Sequence, residues 1–209
     1  MFDDALYTKL GWSLLEGKWL GPYDFLTLSK GPGYPLFIAA AYELHLPLKL
    51  AEHLVHLLAA ATIAFALARM TRNGVLGVTA YAVVALNPGY LGQWASGITR
   101  DGFYSSLSLL LVGATLLVVS CVPALVRRAW LAVPLVLAAG CALGLVTGAY
   151  YLTRDERAWL APAVLAAAVA GTASWRREGP VRLWHAGVCL AIVVAAAGSF
   201  TWSIDWVAS

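Results

Sequence analysis

Charged residues are scarce in this chain, and those that could act on a substrate stand in four short groups. Asp3-Asp4 precedes Tyr7 by one helical turn, and Lys30 lies in the turn Ser29-Lys30-Gly31-Pro32-Gly33. Thr99-Arg100-Asp101-Gly102 and Thr153-Arg154-Asp155-Glu156-Arg157 each follow a long apolar run. A positioned carboxylate can take the proton of an attacking hydroxyl, and Lys or Arg can neutralise a departing phosphate. Each group also has a plainer use. Asp3, Asp4 and Asp101 suit helix N-termini, Lys30 can snorkel from an interfacial loop, and residues 153–157 can be a solvated turn with weak local ion pairs.

Composition sets the medium in which these groups work. Of 209 residues, 61% are hydrophobic and 12% charged, against about 25% charged in an ordinary soluble domain. Mean hydropathy is +0.75. The expected fold class is therefore all-α: a polytopic transmembrane bundle of about six spans (48–69, 74–88, 102–125, 130–151, 159–174 and 183–203). Residues 1–47 are expected to precede it as a loop with interfacial helices, making one membrane domain with residues 48–203 as its bundle. Residues 3–17 read as an amphipathic helix with Leu6, Leu10, Leu14 and Leu15 on one face and Lys9, Ser13 and Glu16 on the other. Gly17 ends it. A second short helix, opened by Pro35 and running to about His45, is too short at roughly 1.5 Å per residue to cross about 30 Å of hydrocarbon.

Charge then orients the spans. Arg69/Arg72, Arg127/Arg128 and Arg176/Arg177/Arg182 recur at alternate boundaries with one acid, Glu178, among them, which marks those turns as cytoplasmic. Nearly all other acids, with Trp12, Trp19, Trp94, Trp159, Trp202 and Trp206, fall on the opposite side. The chemistry is thus expected on the outer face. The formal charge of +3 is explained by topology and points to no nucleic-acid partner.

The remaining metal-capable side chains give weaker signals. Glu52-His53-Leu54-Val55-His56 departs from the zincin order, so its histidines read as interfacial residues near the start of a span. Cys121, Cys141 and Cys189 lie in apolar runs and read as packing residues. His45 and His185 have no identifiable partners in the sequence.

Taken together, Asp3-Asp4-Ala5-Leu6-Tyr7, Leu14-Leu15-Glu16-Gly17-Lys18-Trp19, Lys30-Gly31-Pro32-Gly33-Tyr34-Pro35-Leu36 and Thr99-Arg100-Asp101-Gly102 resemble, in order, the first external loop and the next outer loop of GT-C glycosyltransferases. The likeness is to the lipid A aminoarabinose transferase and protein O-mannosyltransferase type, over about the first half of the chain. It implies an enzyme of the bacterial inner membrane that moves a sugar from a polyprenyl-phosphate donor to an acceptor hydroxyl on the outer face. It further implies that Asp3, with Asp4 beside it, is the loop carboxylate, that Asp101 is a second acid of the site, and that Lys30 binds the donor phosphate. Arg154 and Arg100 are expected as further phosphate contacts. No cofactor is expected, because Ser29 stands where metal-binding relatives carry an acid. The expected partners are the lipid-linked donor and membrane lipids. The family also has a helix before its acidic pair and usually more than six spans, so a preceding helix or a C-terminal remainder is a further expected partner. The competing expectation is a non-catalytic helical membrane protein, such as a transporter fragment or an assembly subunit. A transport path should place ionisable groups at mid-membrane depth, whereas the acids of this chain sit at span ends.

Overall fold

The computed structural model describes residues 2–21, 31–94, 100–127, 129–153 and 160–173, and the ordered elements among them are all helical. Helix α1 spans Phe2–Leu15 and α2 Gly33–Glu43. The long helices are α3 (Leu48–Thr71), α4 (Gly74–Ala85), α5 (Arg100–Arg127), α6 (Ala129–Thr153) and α7 (Ala161–Ala173). A π-helical turn, Tyr90–Trp94, follows α4. Three stretches are long and apolar enough to cross a membrane: Leu48–Thr71, Gly74–Gly92 and Arg100–Val122. Leu137–Thr153 and Ala161–Thr172 are shorter apolar helices, and the expected sixth span, 183–203, lies outside the described residues. Outward-facing Leu54, Leu58, Phe65, Val75, Val78 and Val83 are exposed, as befits a chain whose solvent is hydrocarbon. Among the described residues the fold is all-helical, and its three apolar helices of spanning length mark a membrane protein.

Local chemistry explains where the helices stop. Gly17 takes the left-handed conformation at φ 73°, which lets the Lys18 N–H reach the Ser13 carbonyl and the Gly17 N–H that of Leu14, satisfying the last carbonyls of α1. His45 does the same after α2 at φ 55°, with Leu46 N–H bonding Ala41 and His45 N–H bonding Tyr42. This histidine is thus a helix terminator. Arg72 ends α3 in the left-handed region, and the Asn73 side chain opens α4 by accepting from the Val75 and Leu76 N–H groups at 3.0 and 3.3 Å. Asn87 likewise accepts from Gly89 N–H and starts the helical stretch through residues 90–94, where the sequence suggested a loop.

Helix α5 is the centre of the bundle. It runs parallel to α3, a register read from the facing pairs His56 with Ser106, Ile63 with Gly113 and Ala66 with Leu116. A Cβ on Gly113 would lie 2.7 Å from Ile63 Cγ1, so the missing side chain is what lets these two helices close. Within hydrocarbon, such close packing replaces the hydrophobic effect as the main force between helices. Helix α4 packs antiparallel on α3, α6 antiparallel on α5, and α7 parallel to α5 through Gly171 and Val119. Alternation gathers the basic residues Arg69, Arg72 and Arg127 at one end of the bundle. The starts of α3, α5 and α7, the end of α6, and the α1–α2 pair lie at the other.

Helices α1 and α2 form a small platform on that second end. The buried seam of α1 is Tyr7, Leu10 and Gly11, while Leu6, Leu14 and Leu15 are half-buried, so the seam is turned from the expected leucine face and shares only Leu10 with it. Trp12 is 55% exposed; its indole N–H donates to Glu16 at 2.9 Å and its ring meets Tyr42 edge-on. The Lys18 ammonium and the Trp12 N–H together hold the Glu16 carboxyl below its ordinary range.

Candidate functional site

The platform joins the bundle through aromatic rings. Tyr7, Tyr34, Phe103, Tyr104 and Tyr150 are all buried in one cluster with Leu107, Leu111 and Leu160. Tyr34, at 0% exposure, meets Tyr7 edge-on at 5.2 Å and lies against Phe37 and Phe103 at 6.4 and 5.6 Å. The Tyr104 and Tyr150 rings stack at 5.0 Å with their hydroxyls 2.6 Å apart. Aromatic pairs of this kind contribute about 0.5–1.5 kcal/mol each beyond area burial, so the cluster is a firm joint between α1, α2, α5 and α6.

The expected site residues are carried by, or adjoin, the same joint. Asp3 and Asp4 lie in the first turn of α1, one turn before Tyr7. The Arg100 guanidinium sits 5.9 Å from the centre of the Tyr7 ring, within cation–π range, and thereby ties the start of α5 to α1. Asp101 is exposed in the first turn of α5, where the helix dipole favours a carboxylate. Lys30 and Arg154 lie outside the described residues. Their sequence neighbours do not: Gly31 packs against the Leu152 carbonyl, and a Cβ on Gly33 would stand 2.6 Å from Thr153 Oγ1. Of the stretches singled out by sequence, Gly31–Gly33 thus meets Thr153, Arg100 meets Tyr7, and Tyr34, which follows Gly33, joins the two pairs through its contact with Tyr7.

A second polar group at this end departs from expectation. His56 is buried at 3% exposure instead of interfacial, and Glu52 at 4%. Glu52 accepts from the Tyr34 hydroxyl at 2.5 Å and from the Lys49 ammonium at 2.7 Å, while its backbone carbonyl accepts from the Tyr90 hydroxyl at 3.3 Å. The His56 ring stacks on Tyr90 at 3.7 Å, bonds the Val84 carbonyl through Nε2 at 3.0 Å, and meets Ser106 Oγ through Nδ1 at 3.3 Å. A buried carboxylate costs several kcal/mol unless paired, and here both oxygens have donors. Spacing alone hid this group, because its partners come from α2, α4, the π turn and α5.

Metal binding finds no support in geometry among the described residues, where no three His, Cys, Asp or Glu side chains converge. Both His56 nitrogens are engaged by the protein itself. Cys121 is half-buried, Cys141 is exposed on the bundle surface, and Cys189 lies outside the described residues. What the described geometry provides is a cation over an aromatic joint, an exposed carboxylate beside it, and a close-packed glycine turn. The chain matches no protein-family model, no curated protein and no solved structure.

Proposed function

We propose that this protein is a membrane glycosyltransferase, or the N-terminal part of one, which transfers a sugar from a polyprenyl-phosphate donor to an acceptor hydroxyl on the outer face of the bacterial inner membrane. The observation that supports this reading is the convergence of Tyr7, Gly31–Gly33, Arg100 and Thr153 at one end of the bundle, opposite the arginine-bearing turns. In the proposed reaction the acceptor oxygen attacks the anomeric carbon, the bond to the donor phosphate breaks with its electrons passing to phosphate oxygen, and a carboxylate removes the hydroxyl proton. Asp3 takes that proton, with Asp4 and Asp101 as the other acids of the site. Lys30, Arg100 and Arg154 bind the phosphate and stabilise the charge that grows on it. Glu52 lies only four residues into α3, about 6 Å from its start, so it does not make the midplane path that a transporter would need.

The test is transfer from a polyprenyl-phosphate sugar by the complete polypeptide in membranes. Asp3→Asn should leave expression near normal and lower turnover at least about a hundredfold, the scale of a lost general base. Parental turnover in Asp3→Asn with loss in Asp4→Asn would move the base by one residue. Parental turnover in both would remove the acidic pair from catalysis.

A further inference from the structure

We propose that Glu52 is a positioning residue for the donor-phosphate site, acting through the Tyr34 hydroxyl to hold Tyr7, and with it Arg100, in place; this rests on the glycosyltransferase reading above. The Glu52 carboxylate is buried near the start of α3 and is the acceptor for a tyrosine eighteen residues earlier in the chain. Tyr34 is the hub of the aromatic joint. Its hydroxyl is bonded to α3, its ring supports Tyr7 on one side and Phe103 on another, and its backbone follows directly on the Gly33 that lies against Thr153. Arg100 rests over the ring of Tyr7 and precedes Phe103 by three residues on α5. This hydrogen bond thus pins the hydroxyl end of Tyr34 against α3, and the ring so placed is the one on which Tyr7 and Phe103 both bear. The charge on Glu52 has a separate use, since Lys49, itself partly exposed, is paired to its second oxygen. A neutral side chain of the same shape keeps an acceptor for Tyr34, and a shorter one does not.

The experiment uses the full chain in phosphatidylcholine nanodiscs, with decaprenyl phosphate as the probe, and compares Tyr34→Phe, Glu52→Ala, Glu52→Gln and Tyr90→Phe. Two readouts are taken: affinity for decaprenyl phosphate, and backbone hydrogen exchange over Ala5–Gly11 and Gly31–Phe37 without the probe. Tyr34→Phe and Glu52→Ala should each weaken binding about tenfold and speed exchange in both peptides, while exchange over Ala161–Ala173 stays parental. The double variant should be no worse than Glu52→Ala alone, because that change already removes the bond to Tyr34. Glu52→Gln should restore both readouts, and Tyr90→Phe, which removes a hydroxyl bonded to the Glu52 backbone carbonyl and leaves the Glu52 side chain with its partners, should leave them unchanged. Parental affinity in Tyr34→Phe and Glu52→Ala overturns the proposal, whether or not exchange changes. If the parental protein itself fails to bind decaprenyl phosphate, the glycosyltransferase reading loses its donor; exchange then decides the Glu52–Tyr34 anchor alone, and unchanged exchange overturns it too.

Discussion

His56 shows how much one side chain can hold when it sits between three helices. It bonds α4 through Val84, meets α5 through Ser106, and stacks on Tyr90 after α4, all from a position on α3. Hydrogen bonds within such a network gain from the low local dielectric, and leaving partners unmatched costs about 1–3 kcal/mol for each buried group. His56→Leu should therefore destabilise the fold by about 2–4 kcal/mol, read from unfolding in mixed detergent micelles. Tyr90→Phe should cost about 1 kcal/mol, since the stacked ring remains and the loss is confined to the hydroxyl, which bonds the Glu52 carbonyl. Equal losses in the two variants would show that the whole His56 network contributes no more than the Tyr90 hydroxyl alone.

At the scale of the element, the junction of α2 with α6 depends on a glycine that cannot carry a side chain. The Cβ of any residue at position 33 would meet the Thr153 hydroxyl at 2.6 Å and the Leu152 carbonyl carbon at 2.7 Å, and backbone cannot swing aside as a side-chain tip can. Gly33→Ala should cost about 1–3 kcal/mol, the range for overpacking, and should raise hydrogen exchange at the ends of α2 and α6. Gly74→Ala is the matched comparison. Its Cβ meets open space at the start of α4, so the same substitution there should be neutral or gain up to about 1 kcal/mol from helix propensity. If both variants have parental stability, α2 and α6 do not approach as closely as described.

For the whole molecule, alternation of the helices separates a basic end from an aromatic, acidic one. Under the positive-inside rule the basic end faces the cytoplasm. In a chain whose own cysteines are replaced, cysteines at Ala5 and Asp101 should react with a membrane-impermeant maleimide in intact cells. A cysteine at Asn73, between Arg72 and α4, should react only after the cells are opened. The reverse pattern would turn the bundle over and place the candidate site in the cytoplasm.

Composition and periodicity alone determined the class, the helix-rich fold and most of the boundaries, because a long apolar run in a bilayer has no alternative to helix. The stop at Gly17 was likewise legible as a local property of one helix, whereas the buried seam of α1 shares only Leu10 with the face Leu6, Leu10, Leu14 and Leu15 expected from spacing, because Tyr7 and Gly11 are buried by packing against α2. Between the expected spans 74–88 and 102–125, Tyr90–Trp94 is helical, because Asn87 supplies a cap that hydropathy does not register. The end of α2 near His45 was legible, but that His45 itself takes the left-handed conformation, which glycine usually supplies, was decided by the structure. Only the tertiary structure decided that Glu52 belongs with Tyr34 and that His56 is buried. Those pairings join residues 18, 28, 34 and 50 positions apart, and such partners are chosen by how helices pack, not by any pattern within one of them.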